Sequence, residues 1–270
     1  MRFLLSLCAL LLPTAFAQAQ DEVPFITTPD HVTLAMLQLA GVGAQDHVID
    51  LGSGDGRIVI TAAKRFGASG LGVEIVPDLV LKSLENARAA GVSARTEFRE
   101  QDLFATDLRR ATVVTMYLLP EVNLQLRPRL LALAPGTRIV SHDWDLGDWA
   151  SDRTLTVDVP NKVVGLDKRS RLHLWVVPAP VQGLWCAAAG SLEITQRFQA
   201  FSATLTSPHT TTPVMVFDGR IDGVTLRAQG ERVAVLQARQ PDTLRMESIA
   251  NVAMAFAGQT FLRAKGPRCP

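Results

Sequence analysis

Val48-Ile49-Asp50-Leu51-Gly52-Ser53-Gly54-Asp55-Gly56-Arg57-Ile58 is the stretch on which the fold turns. A short apolar run from His47 to Leu51 predicts a strand that ends in a glycine cluster. Ile58, Val59, Ala62, Ala63 and Phe66 then follow a helical spacing, closed by Gly67. Strand, glycine turn and helix in this order aim backbone N–H groups into the crevice beyond the strand's carboxyl end. Glycines there permit positive φ and let a ligand lie against bare backbone.

Outward from the loop, helical and strand-like runs alternate. Thr28 as cap with Pro29 at the first helical position predicts a helix carrying Val32, Ala35, Met36 and Leu39. Strands are predicted over 70–75, 96–100, 111–117 and 137–142, with a helix capped by Asp78 and another over 121–134 despite Pro128. This alternation predicts a mostly parallel sheet with helices on both faces. The runs at 155–159 and 171–177 predict a late β pair, an antiparallel end on that sheet. After Pro178-Ala179-Pro180 the character changes. Short β-like runs at 192–198, 202–206, 214–217, 224–228 and 233–238, with turn signals Asp218-Gly219 and Asp222-Gly223, predict a small antiparallel β domain. Periodicity leaves 243–256 open between helix and strand. Val181-Gln182-Gly183-Leu184-Trp185 resembles the opening of small lipocalin-like β barrels, and Trp185 there is equally suited to plug a small core. The expected organisation is therefore residues 1–19 as a leader, 20–179 as the α/β domain and 180–270 as the small β-rich domain.

Met1 to Gln20 places Arg2 before a run of Leu, Cys and Ala, then Pro13 and Ala15-Phe16-Ala17. That is the pattern of a secretory signal peptide, so an exported protein, periplasmic or secreted, is expected. The apolar run is short for a spanning helix of about 20 residues. No later stretch is apolar enough to span, so no transmembrane segment is expected in the mature chain. Beyond the leader remain Cys186 and Cys269, either a disulfide in an oxidising compartment or two unlinked thiols. With 27 Lys and Arg against 26 Asp and Glu, the chain lacks the basic surplus of a nucleic-acid binder. At 47% hydrophobic and 20% charged, it carries the composition of a folded protein.

The acid before the loop discriminates between ligands. A dinucleotide site calls for Gly-x-Gly-x-x-Gly, but Arg57 stands at the third glycine's offset and Gly56 falls one place early. Asp50 would repel a pyrophosphate and suits a cationic ligand such as a sulfonium bearing an ammonium. Glu74, 24 residues on, closes the second strand and is placed to accept ribose hydroxyls. Asp102 follows the third strand, able to receive an exocyclic amine of adenine with Leu103 and Phe104 flanking the ring, or simply to cap its loop.

Residues 23–177 resemble a class I S-adenosylmethionine-dependent methyltransferase, with its first motif nearly complete at Val48 to Gly56. The resemblance implies a Rossmann-like seven-stranded sheet and S-adenosyl-L-methionine as cofactor. It implies that Asp50, Gly52 and Gly54 hold the methionine part, Glu74 the ribose, and Asp102 with Leu103 the adenine. A closer resemblance is to the lysine methyltransferases of the ATP synthase c subunit and their bacterial relatives. It is carried by Val23-Pro24-Phe25 with Thr28-Pro29, by Asp50 to Ile60, by Gln101-Asp102-Leu103-Phe104, by Thr115 to Pro120 and by Pro135 to His142. The implied acceptor is an amine, on a protein lysine or a small molecule, with no nucleic acid involved.

Tyr117, the only tyrosine, ends the fourth strand, where the methyl would leave. It is expected to orient the acceptor amine, or else to be a packed aromatic. Glu121 is expected to accept a proton, or to be an acid favoured in a first helical turn. Asn123 stays open on similar terms. The segment Ser141-His142-Asp143-Trp144-Asp145 offers His and Asp, but without a second suitably spaced histidine no metal is expected. His142 is instead expected at the rim or in local hydrogen bonding, and Trp144 and Trp149 in a cleft or a core. A rival outside enzymology is an exported binding protein that keeps the cofactor fold without turnover. A nicotinamide oxidoreductase is disfavoured by Asp50 and the missing glycine.

Overall fold

The computed structural model describes residues 26–163, 167–208, 210, 212–230, 234–240 and 242–269. The expected leader and Val23-Pro24-Phe25 lie outside the described residues.

Helix α1 (Asp30–Leu39) leads into β1 (His47–Leu51), α2 (Arg57–Phe66), β2 (Ser69–Glu74), α3 (Pro77–Ala89) and β3 (Thr96–Glu100). Then come β4 (Val113–Met116), α4 (Pro120–Leu131), β5 (Arg138–His142), β6 (Arg153–Asp158) and β7 (Arg169–Val176). These strands form one seven-stranded sheet in the order β3-β2-β1-β4-β5-β7-β6. Strands β1 to β5 pair in parallel, and β7 pairs antiparallel with both β5 and β6. The order reverses between β1 and β4, which opens a crevice at their carboxyl ends.

The apolar runs of the central strands arise because both faces are covered. Successive residues point to opposite faces. Ile49, Val114 and Ile139 therefore pack with Leu126 and Leu130 of α4, while Val48, Val113 and Val140 pack with Val32, Met36 and Leu37 of α1. Pro128 is accommodated within α4, as expected. Two expected caps are corrected. The residue before α1 is Pro29, whose carbonyl accepts from Thr33 N–H, while the Thr28 hydroxyl is engaged 114 residues away by His142. Helix α3 starts with Pro77, which leaves Asp78 in the first turn rather than at the cap.

The second part is a closed barrel rather than an open sheet. Its strands are β8 (Gly183–Ala187), β9 (Gly190–Arg197), β10 (Ala200–Thr206), β11 (Pro213–Asp222), β12 (Thr225–Ala228), β13 (Ala234–Gln240), β14 (Thr243–Ile249) and β15 (Thr260–Arg263). Each pairs antiparallel with the next, and β15 returns to β8 through Leu262 opposite Cys186 and Arg263 opposite Trp185. The undecided stretch resolves into β14 and a short 3-10 helix (Asn251–Phe256). The interior is filled. Trp185, Phe201, Phe217, Leu236, Met246 and Phe261 are buried there, and the Trp185 indole N–H donates to Val181 O at 2.8 Å.

Cys186 and Cys269 form a disulfide with Cα atoms 5.6 Å apart, joining β8 to the segment after β15. Because it closes a loop of 83 residues, replacing both cysteines by serine should cost about 2–5 kcal/mol of barrel stability. Denaturant unfolding followed by near-ultraviolet circular dichroism measures this, and an unchanged midpoint would contradict it.

The two parts meet at the turn between β9 and β10. Phe198, at φ +53, stacks on Trp149 with ring centroids 6.0 Å apart. Gln199, buried, accepts from the Trp149 indole at 3.0 Å and donates to Ala150 O at 2.6 Å. Arg220 reaches Asp152 across the same junction. Trp149 is thus a core residue held by the barrel, not a wall of a cleft.

Candidate active site

Loops at the carboxyl ends of β1 to β5, with the segment before α1, line a cleft of about 390 Å³, within the ordinary range for a small-molecule site. Asp50, Gly52, Gly54, Glu74, Asp102, Leu103 and Tyr117 all line it.

Asp50 ends up inside the sheet because β1 lies between β2 and β4. It is 2% exposed and accepts the Thr115 hydroxyl at 2.7 Å. Burial pushes its carboxyl up to about 7, reinforced by the charges of Glu74 and Asp55. The loop that follows turns on glycines. Gly52 sits at φ +73, and a Cβ there would meet Leu118 at 3.0 Å. Gly56 sits at φ +80, and a Cβ would run into the Phe98 ring at 2.7 Å. Helix α3 clamps the loop, with Ser83 donating to Gly54 O and Asn86 to Asp55 O, both at 2.9 Å.

Glu74 is partly committed to backbone. One oxygen accepts Gly54 N–H at 2.9 Å, and the other accepts Ile75 and Val76 N–H at 2.8 and 3.1 Å. A carboxylate offers about four acceptor positions, and these three backbone donors leave about one for a ligand hydroxyl. Asp102 both lines the cleft and caps its own loop, accepting Phe104 N–H at 2.8 Å.

Also lining the cleft, Tyr117 stacks on His142, with centroids 3.9 Å apart. Its hydroxyl donates to Asp143 at 3.4 Å. Burial, with the Asp143 charge beside it, pushes the phenol up to about 12. The hydroxyl therefore stays protonated over the working range and serves as a donor, not as a base. His142 is 1% exposed, so the rim expectation gives way to its hydrogen-bonding alternative. Its ring nitrogens meet the Thr28 hydroxyl at 3.1 Å and the Ser170 hydroxyl at 2.7 Å. Burial pushes it down to about 4, so it is neutral near pH 7.

Glu121 is not brought into this arrangement. It is exposed in the first turn of α4 and does not line the cleft. Asn123, fully buried, instead holds the loop after β5, donating to Ser141 Oγ and to the carbonyls of Trp144 and Asp145 at 3.2–3.3 Å. The carboxylate beside Tyr117 is Asp143. The sequence offers it only as one acid of the Ser141–Asp145 segment, because an acid one residue past a strand does not show which way it faces. Trp144, 41% exposed, lines the cleft next to it. Among the described residues no group of three or more His, Cys, Asp or Glu is arranged to hold a metal. No helix among them is long and apolar enough to cross a membrane.

A seven-stranded sheet with an antiparallel β7 next to β5, a glycine loop at the switch point and acids closing β1 and β2 together define the class I methyltransferase architecture. The model of the ANTKMT methyltransferase domain matches residues 50–153. A protein-lysine N-methyltransferase of Saccharolobus islandicus (strain REY15A) is 43% identical over 142 residues, 52% of this chain and 88% of its own length. The adenine nucleotide translocase lysine N-methyltransferase of Mus musculus is 34% identical over 144 residues, 52% of this chain and 62% of its own. Among solved structures, an RNA methyltransferase from Salinibacter ruber in complex with S-adenosyl-L-homocysteine is 50% identical. The match covers 58% of this chain and 96% of that one, with a TM-score of 0.52. The chain belongs to the class I S-adenosylmethionine-dependent methyltransferases related to lysine-methylating enzymes.

The cleft fits that cofactor on its own chemistry. A buried carboxylate faces a space walled by glycine backbone, and the buried Ser53 hydroxyl beside it has no hydrogen-bond partner among the described residues. When bound, S-adenosylmethionine supplies an electrophilic methyl on a sulfonium centre.

Proposed function

We propose that this chain methylates an amine, with a protein lysine as the acceptor. The observation that carries the reading is the Tyr117–Asp143 pair, in which the hydroxyl of a cleft-lining tyrosine meets a carboxylate. The lysine-methylating activities of the Saccharolobus and mouse relatives support the same acceptor. Within it, Asp50 holds the cofactor's ammonium, Gly52 and Gly54 leave room for its methionine part, Glu74 takes the ribose, and Asp102 with Leu103 meets the adenine. Tyr117 orients the acceptor. Leu118 and Leu119 also line the cleft and exclude water, which favours the uncharged amine needed as a nucleophile.

RNA is the second reading, favoured by the likeness to the Salinibacter RNA methyltransferase. The net charge of +1 weighs against it, since phosphate neutralisation dominates RNA affinity. Incubation with radiolabelled S-adenosylmethionine and a cell-envelope extract separates the two. Label lost on protease treatment supports the protein acceptor, and label lost on ribonuclease treatment overturns it. Absence of label in every fraction would count against both acceptors.

The leader pattern at 1–19 and the disulfide support an exported protein, periplasmic or secreted. Intact mass of the chain from its native host should give a start near Gln18 or Gln20, and a chain retaining Met1 would contradict export.

A further inference from the structure

Asp143 carries features that the cofactor roles leave unused. It sits at φ +64, a conformation unusual for a non-glycine residue that persists where surrounding structure enforces it. The enforcement is visible: Asp143 N–H donates to Arg171 O at 2.6 Å, and Asp143 Oδ1 accepts Arg171 N–H at 3.0 Å. The other oxygen, Oδ2, receives two donors, the Tyr117 hydroxyl at 3.4 Å and the Lys162 ammonium at 2.7 Å. Both charged side chains are largely out of water, 13% and 14% exposed. Lys162 Nζ also donates to Arg169 O at 2.7 Å. An alkylammonium is therefore already seated on a carboxylate that shares its oxygen with the cleft's tyrosine. The residue next to Asp143, Trp144, supplies an aromatic wall to the same cleft, a surface that attracts cations.

We propose that Asp143 Oδ2 is the subsite for the acceptor's ammonium, and that Lys162 is its intramolecular occupant in the acceptor-free protein. The proposal rests on the amine-methyltransferase reading. A largely buried carboxylate left alone would be costly. A built-in ammonium keeps it charged and positioned until an acceptor arrives with an ammonium of its own. Exchanging one alkylammonium for another leaves the charge of the site unchanged, so entry of an acceptor lysine carries no net charge penalty.

The test uses butylammonium chloride, the lysine side chain without its backbone, titrated calorimetrically into the full protein in the presence of S-adenosylhomocysteine. Lys162→Met should bind it at least tenfold more tightly than the parent, and Lys162→Arg, which keeps a cation on Asp143, should behave like the parent. Adding Asp143→Asn to Lys162→Met should abolish the gain. Asparagine tolerates positive φ and keeps an oxygen for Arg171 N–H, so this variant removes the charge and spares the backbone. In the unmodified protein, saturating butylammonium should also shift the Lys162 side-chain NMR resonances. A Lys162→Met variant that binds no more tightly, a gain that survives Asp143→Asn, or unmoved Lys162 resonances would overturn the subsite. Labelling in the envelope extract can succeed while these fail, which would sink the subsite and leave the amine-methyltransferase reading standing.

Discussion

Asp50→Asn is expected to weaken S-adenosylmethionine binding by about 10- to 150-fold while leaving the ligand-free protein at least as stable as the parent. The loss follows from removing one charged partner of the cofactor's ammonium, since hydrogen bonds to charged groups contribute about 1.5–3 kcal/mol. The gain follows from burial. In the folded chain the Asp50 carboxyl titrates at about 7, against an ordinary 3.8. The folded state therefore holds a proton that the unfolded chain has already released between those values, and stability falls as pH rises through that window. Above about 7 the full penalty of a buried charge applies. Asparagine removes it and still accepts from Thr115 through its amide oxygen. The stabilisation should accordingly be larger at pH 8 than at pH 5, as read by denaturant unfolding. Cofactor affinity of the parent should rise with pH up to about 7, because binding selects the ionised carboxylate. A variant that binds cofactor normally would remove Asp50 from the site, and one equally destabilised at both pH values would make it a structural residue.

Tyr117→Ala is expected to lower kcat by two orders of magnitude or more, with the cofactor Kd held within about twofold. Alanine removes the ring that covers His142 and the hydroxyl that meets Asp143. Tyr117→Phe keeps the stack and deletes only the donor. Asp143 retains Lys162 and Arg171 as partners in that variant, so the fold should be undisturbed. If the hydroxyl orients the acceptor, Phe should lower kcat about tenfold, equivalent to about 1.4 kcal/mol in the transition state. With the phenol pushed up to about 12, neither substitution should move the pH profile of kcat between 6 and 9. Parent-like turnover in both variants would displace Tyr117 from the acceptor end.

The α/β part was legible because its signals are local. Asp50 and the glycines stand within seven residues of one another, and the central strands β1 and β4 are marked by apolar runs, while β3 shows only a weak alternation. Glu74 and Asp102 could be placed because strand ends in such a sheet all open on one crevice. What escaped depends on partners far along the chain. His142 stays open between the rim and local hydrogen bonding until Thr28 and Ser170 close around it from 114 and 28 residues away. Asp143 looks like Glu121 in sequence, an acid just past an apolar run. Backbone geometry separates them: φ +64 accompanies the inward Asp143, and the first helical turn leaves Glu121 in solvent. Trp149 took its role from Phe198 and Gln199, residues of the other part. Barrel closure had only the short Val181–Trp185 likeness as a local mark, because it rests on Leu262 and Arg263 finding Cys186 and Trp185 across some 80 residues.

The closing strand β15 has only four residues, Thr260–Arg263, yet it abolishes two free sheet edges at once. During synthesis the seven-stranded sheet has all its strands once Val176 has emerged, whereas the barrel must wait for Thr260 to Arg263. Until then β14 and β8 stand as unpaired templates that invite pairing with a neighbouring chain. A product terminated shortly before Thr260 would thus carry an intact cofactor cleft on a self-associating appendage. Its failure would show as aggregation before any defect in chemistry.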